Sequence, residues 1–140
     1  MIRTTWALAC AIVLSGCATQ YQSAGLTGGH RDGHGPGKLE MVQFLGNGYI
    51  SPELTQKYAL YRSAEVAKSK NKPFFVLYDS LRSAARDLPG TTPQVGMIQG
   101  KPAATAFLLL LDAPRPGALD TQATLDELQK VVASGELPKT

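Results

Sequence analysis

Cysteine, histidine and tryptophan are scarce in this 140-residue chain, which has two Cys, two His and one Trp. Two Cys exclude a disulfide-stapled scaffold and a four-thiolate metal site. Two His, both inside a glycine-rich stretch, leave no base beside a nucleophile, so the chain is expected not to be an enzyme. Charge of one sign is also lacking. Fourteen Lys and Arg against eleven Asp and Glu give a formal net charge of +3 with no clustered basic face, which excludes a dedicated nucleic-acid binder. The apolar run at residues 6–16 has eleven residues, broken only by Ser15, against the roughly 20 that a membrane-spanning helix needs. Nothing reads as a catalytic, cofactor or metal signature. What is present, 44% hydrophobic and 18% charged residues, fits one folded domain rather than a wholly disordered chain.

The N-terminus carries the strongest signal. Arg3 supplies a positive flank, and residues 6–16 have the length of a signal-peptide apolar region. The run ends in Leu14-Ser15-Gly16-Cys17, which resembles a bacterial lipobox. A branched apolar residue and two small ones fit a narrow peptidase site, and the Cys thiol accepts a diacylglyceryl group. The alternative is a plain secretory signal cut at a nearby Ala or Gly. Cleavage before Cys17 removes Cys10 and Trp6 and leaves Cys17 as the lipidation site. Each buried acyl CH₂ contributes about 0.8 kcal/mol, so several chains of palmitate type hold a protein on a membrane without a spanning helix. Ala18, rather than Asp, follows Cys17; by resemblance to lipoproteins of Gram-negative bacteria this implies the periplasmic face of the outer membrane.

The pattern then divides the chain into a signal peptide (1–16), a flexible tether (17–38) and one domain (39–140). Residues 18–38 are rich in Gly, Ser, Thr, Gln and His, with six Gly between Gly25 and Gly37, a composition with little apolar surface to bury. Residues 39–45 form a short strand with Val42 and Phe44 on one face, closed by Gly46-Asn47-Gly48. Ser51-Pro52-Glu53 begins a helix reaching about residue 70: Ser caps it, Pro takes its first position, and Glu meets the positive dipole end. Leu54, Tyr58 and Tyr61 lie on one stripe of that helix. Residues 73–78 are a buried strand. Residues 94–99 and 103–111 form a hairpin about Gly100-Lys101-Pro102, and residues 119–133 are a helix capped by Asp120 or Thr121. The order β-α-β-(β)-β-α predicts a small α+β domain, two helices on a three- to four-stranded, mainly antiparallel sheet.

Phe44-Leu45-Gly46-Asn47-Gly48-Tyr49, Tyr58-Ala59-Leu60-Tyr61-Arg62-Ser63-Ala64-Glu65 and Pro73-Phe74-Phe75 resemble a family of short, uncharacterised lipoproteins of Gram-negative bacteria. Its pattern is a strand ending in Phe-x-Gly-Asn, a helix carrying Tyr-x-Leu-Tyr-Arg-Ala-Ala-Glu, then an aromatic strand. The resemblance covers residues 39–79 and the lipobox. It departs at Glu40, where an aromatic is usual, and at Ser63 in place of Ala. The resemblance implies an envelope location and carries no catalytic residue.

Glu65 falls on the apolar stripe, where a carboxylate must be paired, protonated or at the rim. With Tyr58, Tyr61 and Arg62 it forms a candidate ligand or partner face; an ion pair to Arg62 or Lys68 is the architectural alternative. His30, Asp32 and His34 could hold a transition metal only weakly in so glycine-rich a stretch, and a soluble tether is the simpler expectation. Tyr49, Tyr58, Tyr61 and Tyr78 either line a groove or sit in the core with hydroxyls at the rim. Two functions therefore stand: a non-enzymatic structural or adaptor component of the cell envelope, or a module binding a small ligand or peptidoglycan. The membrane, through acylated Cys17, and an envelope protein or peptidoglycan are the expected partners.

Overall fold

Strand pairing converges on one long apolar run near the middle of the sheet. The computed structural model describes residues 17–139; residues 1–16, where a signal peptide is expected, and residue 140 lie outside the described residues. In chain order the elements are β1 (Gly29–His34), β2 (Glu40–Leu45), α1 (Pro52–Ser69), β3 (Phe74–Tyr78), α2 (Leu81–Ala85), β4 (Gln94–Ile98), β5 (Lys101–Leu111), β6 (Ala118–Asp120) and α3 (Thr121–Ser134). The sheet order is β1-β2-β5-β3-β6, and every ladder is antiparallel. β5 is long enough to serve two neighbours on one side, β4 along Lys101–Thr105 and β3 along Phe107–Leu111.

Local chemistry explains the element boundaries. The Ser51 hydroxyl accepts from the Leu54 N–H at 3.1 Å, and Pro52, which has no N–H to satisfy, opens α1. The Asp120 carboxylate caps α3 by accepting from the Ala123 N–H at 2.7 Å. Gly135, at φ 68°, ends α3 in the left-handed region that side chains with a Cβ avoid. β4 and β5 are joined by Gln99-Gly100, both at positive φ, the geometry whose twist matches a two-residue hairpin.

Helices α1 and α3 pack against each other, and α1 lies on the face of the sheet that carries Val42, Phe44, Phe75, Leu77, Ala104, Ala106 and Leu108. Alternation along β2 and β5 puts those residues on the helix side. Ala104 and Ala106 let α1 approach the middle of the sheet. Small residues Ala59, Ser63, Ala64 and Ala67 are buried where α1 is enclosed. The buried Ser63 hydroxyl donates to the Ala59 carbonyl at 2.8 Å, so it costs no unsatisfied polar group.

The α+β class and the antiparallel sheet are as the sequence predicts, with six strands and three helices in place of three or four strands and two helices. β6 has three residues and α2 five, too short to show a period. The tether expectation is corrected. Within residues 17–38, β1 pairs with β2 from Gly29↔Leu45 to His34↔Glu40, and Thr19 is buried. The glycines serve close backbone approach rather than flexibility: a Cβ on Gly28 would meet the Leu45 carbonyl oxygen at 2.2 Å. The folded body therefore starts beside Cys17, not at residue 39. Among the described residues, no helix is long and apolar enough to cross a membrane.

Candidate functional site

Arg62, one turn beyond the buried Tyr58 on α1, reaches across to the edge strand. Its Nε and Nη2 donate to the two Asp32 carboxylate oxygens at 3.1 and 2.6 Å, a fork-on-carboxylate pair. Its Nη1 donates to Glu65 Oε2 at 2.8 Å, three residues along the helix. The Tyr21 hydroxyl donates to the same Glu65 oxygen. β1 supplies Asp32 because strand alternation turns His30, Asp32 and His34 to the helix side, opposite Phe44, Val42 and Glu40.

Tyr21 fills the space between these elements. Its ring meets Tyr58 and Tyr61 edge-on at centroid distances of 5.5 and 5.3 Å and lies near-parallel to Phe44 at 6.3 Å. His30 packs on it at 5.2 Å. Burial, reinforced by the Glu65 hydrogen bond, raises the Tyr21 hydroxyl well above the ordinary tyrosine range. The Asp32 hydrogen bonds hold the Arg62 guanidinium in its charged form. Burial, and then the Arg62 charge, lowers His30 below its ordinary 6.5.

Of the residues singled out in the sequence, Tyr58, Tyr61, Arg62 and Glu65 do come together. They do not form an open face, because Tyr58 is buried and Tyr21 covers the rings. Tyr78 is buried elsewhere, its hydroxyl donating to Asp87 at 2.5 Å and accepting from Arg115 at 2.8 Å. Tyr49 is exposed beyond the end of β2. The four tyrosines thus share no groove. Lys68, the alternative partner for Glu65, donates instead to Gln122 at 3.1 Å. Tyr21 is the member that sequence reasoning missed, and Asp32 was weighed there only as a weak metal ligand. Both fall in the stretch read as a tether, and a lone Tyr beside an alternating His30-Arg31-Asp32 run was the available signal.

The chemistry of this cluster is that of a clasp. The Arg62 fork is divided between two carboxylates, and Tyr21 spends its proton on Glu65. His30 and His34 are engaged as well, the latter placing Nδ1 3.0 Å from Glu40. Among the described residues, no three of His, Cys, Asp and Glu gather as a metal site.

Cys17 lies at the opposite extreme of exposure. It is exposed, and its carbonyl accepts from Asn47 Nδ2 at 3.0 Å. Asn47 also accepts the Tyr49 N–H on its own Oδ1 at 3.0 Å, so the turn after β2 is braced from both sides. Two residues on, the buried Thr19 hydroxyl donates to the Thr27 carbonyl at 2.7 Å. Comparison with protein-family models, with curated proteins and with solved structures gave no match.

Proposed function

We propose that the protein is a lipid-anchored, non-enzymatic component of the cell envelope, held through acylated Cys17 at the periplasmic face of the outer membrane and acting as a structural or adaptor protein. The observation that carries this reading is Leu14-Ser15-Gly16-Cys17 at the end of the apolar run of residues 6–16. The exposure of Cys17 at the rim of the fold supports it, since a diacylglyceryl transferase needs access to the thiol. The non-enzymatic half rests on the Arg62 cluster, whose groups are consumed in binding one another. The ligand-binding alternative has less support, because Tyr21 occupies the aromatic surface such a ligand would use.

Two experiments test the two halves. Changing Cys17 to Ala is expected to release the protein from membranes or leave its precursor uncleaved; correct processing with unchanged membrane association would contradict the anchor. Cross-linking the tagged protein in native envelopes, followed by mass spectrometry, is expected to recover a stoichiometric protein partner. Recovery of peptidoglycan fragments alone would contradict the adaptor role.

A further inference from the structure

The end of the sheet next to Cys17 carries two hairpin tips with exposed aliphatic side chains. One tip is Leu26-Thr27, closed by reciprocal Gly25–Gly28 backbone hydrogen bonds of 3.0 and 3.2 Å. Leu26 at its apex is fully exposed. The other is the β4–β5 turn, with exposed Met97 and Ile98 on its incoming strand. Both tips line one groove of about 200 Å³, together with Asn47 and Lys101. Lys101 is the only charged side chain among the lining residues. A leucine at a turn apex gains nothing from the fold, and such residues clustered on one end mark a contact surface.

The path of the chain says what that surface meets. Residues 1–16 join at Cys17, and the Cys17 carbonyl is bound to Asn47 on the groove. Thr19 is locked into the body two residues later, a span of at most about 7 Å. A lipid on Cys17 therefore leaves no slack between the bilayer and this end of the domain. We infer that the protein sits end-on upon the membrane, with Leu26 and Ile98 at the boundary between headgroups and acyl chains and Lys101 against lipid phosphate. This rests on the lipid-anchor reading and adds an orientation to it. Apolar tips flanked by a cation suit an anionic bilayer surface, where apolar burial and phosphate attraction act together.

The only Trp is Trp6, in the segment removed by the proposed cleavage, so a Trp placed in the processed protein is a single reporter. Full-length genes carrying Leu26→Trp, Ile98→Trp or Ala113→Trp supply processed protein for vesicles of phosphatidylethanolamine and phosphatidylglycerol with brominated acyl chains. Ala113 is the control: it is exposed and lies past the far end of β5, a strand that spans roughly 33 Å from Lys101 to Leu111 at about 3.3 Å per residue. The Leu26 and Ile98 reporters are expected to shift to the blue and lose most of their emission to bromine, while the Ala113 reporter keeps its own. Equal quenching at all three positions, or none at any, in protein that carries acyl chains by mass would overturn the seating and leave the anchor standing. Protein without acyl mass would overturn the anchor and the seating with it.

Discussion

Replacing Arg62 with Met leaves Asp32 and Glu65 without the cation that joins them and strips Glu65 of one of its two donors. The side chains of Arg62 and Asp32 are 25% and 38% exposed, so solvent screens part of the loss. Arg62→Met is expected to lower stability by about 1–2 kcal/mol in urea unfolding. Arg62→Lys keeps the charge but not the fork and should fall between the two. A midpoint unchanged in Arg62→Met would contradict the clasp. The same cluster sets a pH dependence with two limbs. Tyr21 has a folded pKa raised above its ordinary 10.0, so its contribution is complete below that value and is lost as pH rises beyond it. His30 has a folded pKa lowered from 6.5, so its contribution is present above 6.5 and is lost as pH falls through that value. Urea midpoints between pH 7.5 and 5.5 should therefore decline in the parent protein and flatten in His30→Asn; equal slopes would contradict the placement of His30.

Among the elements, β1 separates what was legible in the sequence from what was not. Ser51-Pro52, Asp120 and the apolar run of β3 announce their elements because capping and burial are local or periodic signals. Val42 and Phe44 likewise show the buried face of β2. β1 has no such signal. Its residues are Gly, His, Arg and Asp, its position is a sheet edge, and its stability comes from the hairpin with β2 and from the Arg62 fork, which arrives from 30 residues along the chain. The site was half legible for the same reason: Tyr58, Tyr61, Arg62 and Glu65 share a helix, whereas Tyr21 and Asp32 arrive by tertiary folding. Glycine substitutions test whether this segment is fold or tether. Gly28 sits at φ 98° with the Leu45 carbonyl oxygen in the way of any Cβ, so Gly28→Ala should destabilise by more than about 2 kcal/mol. Gly48 has open space around it and no positive φ, so Gly48→Ala should change stability by less than about 1 kcal/mol. Equal effects would return residues 17–38 to the status of a tether.

For the whole molecule, the folded N-terminal segment decides what an anchor on Cys17 would do. A tether of some twenty residues would let the domain roam the periplasm. The Thr19–Thr27 and Cys17–Asn47 hydrogen bonds instead hold the first described residue against the body, so an anchor there fixes which end of the sheet faces the bilayer. The opposite end, around the β5–β6 loop, then faces away and is the surface open to a partner. All of this depends on what Cys17 carries. The most direct measurement is the intact mass of the protein extracted from native envelopes. A chain beginning at Cys17 and carrying a diacylglyceryl group with a further acyl chain is the predicted result. An unmodified Cys17, or a chain cut at any other residue, would contradict the assignment.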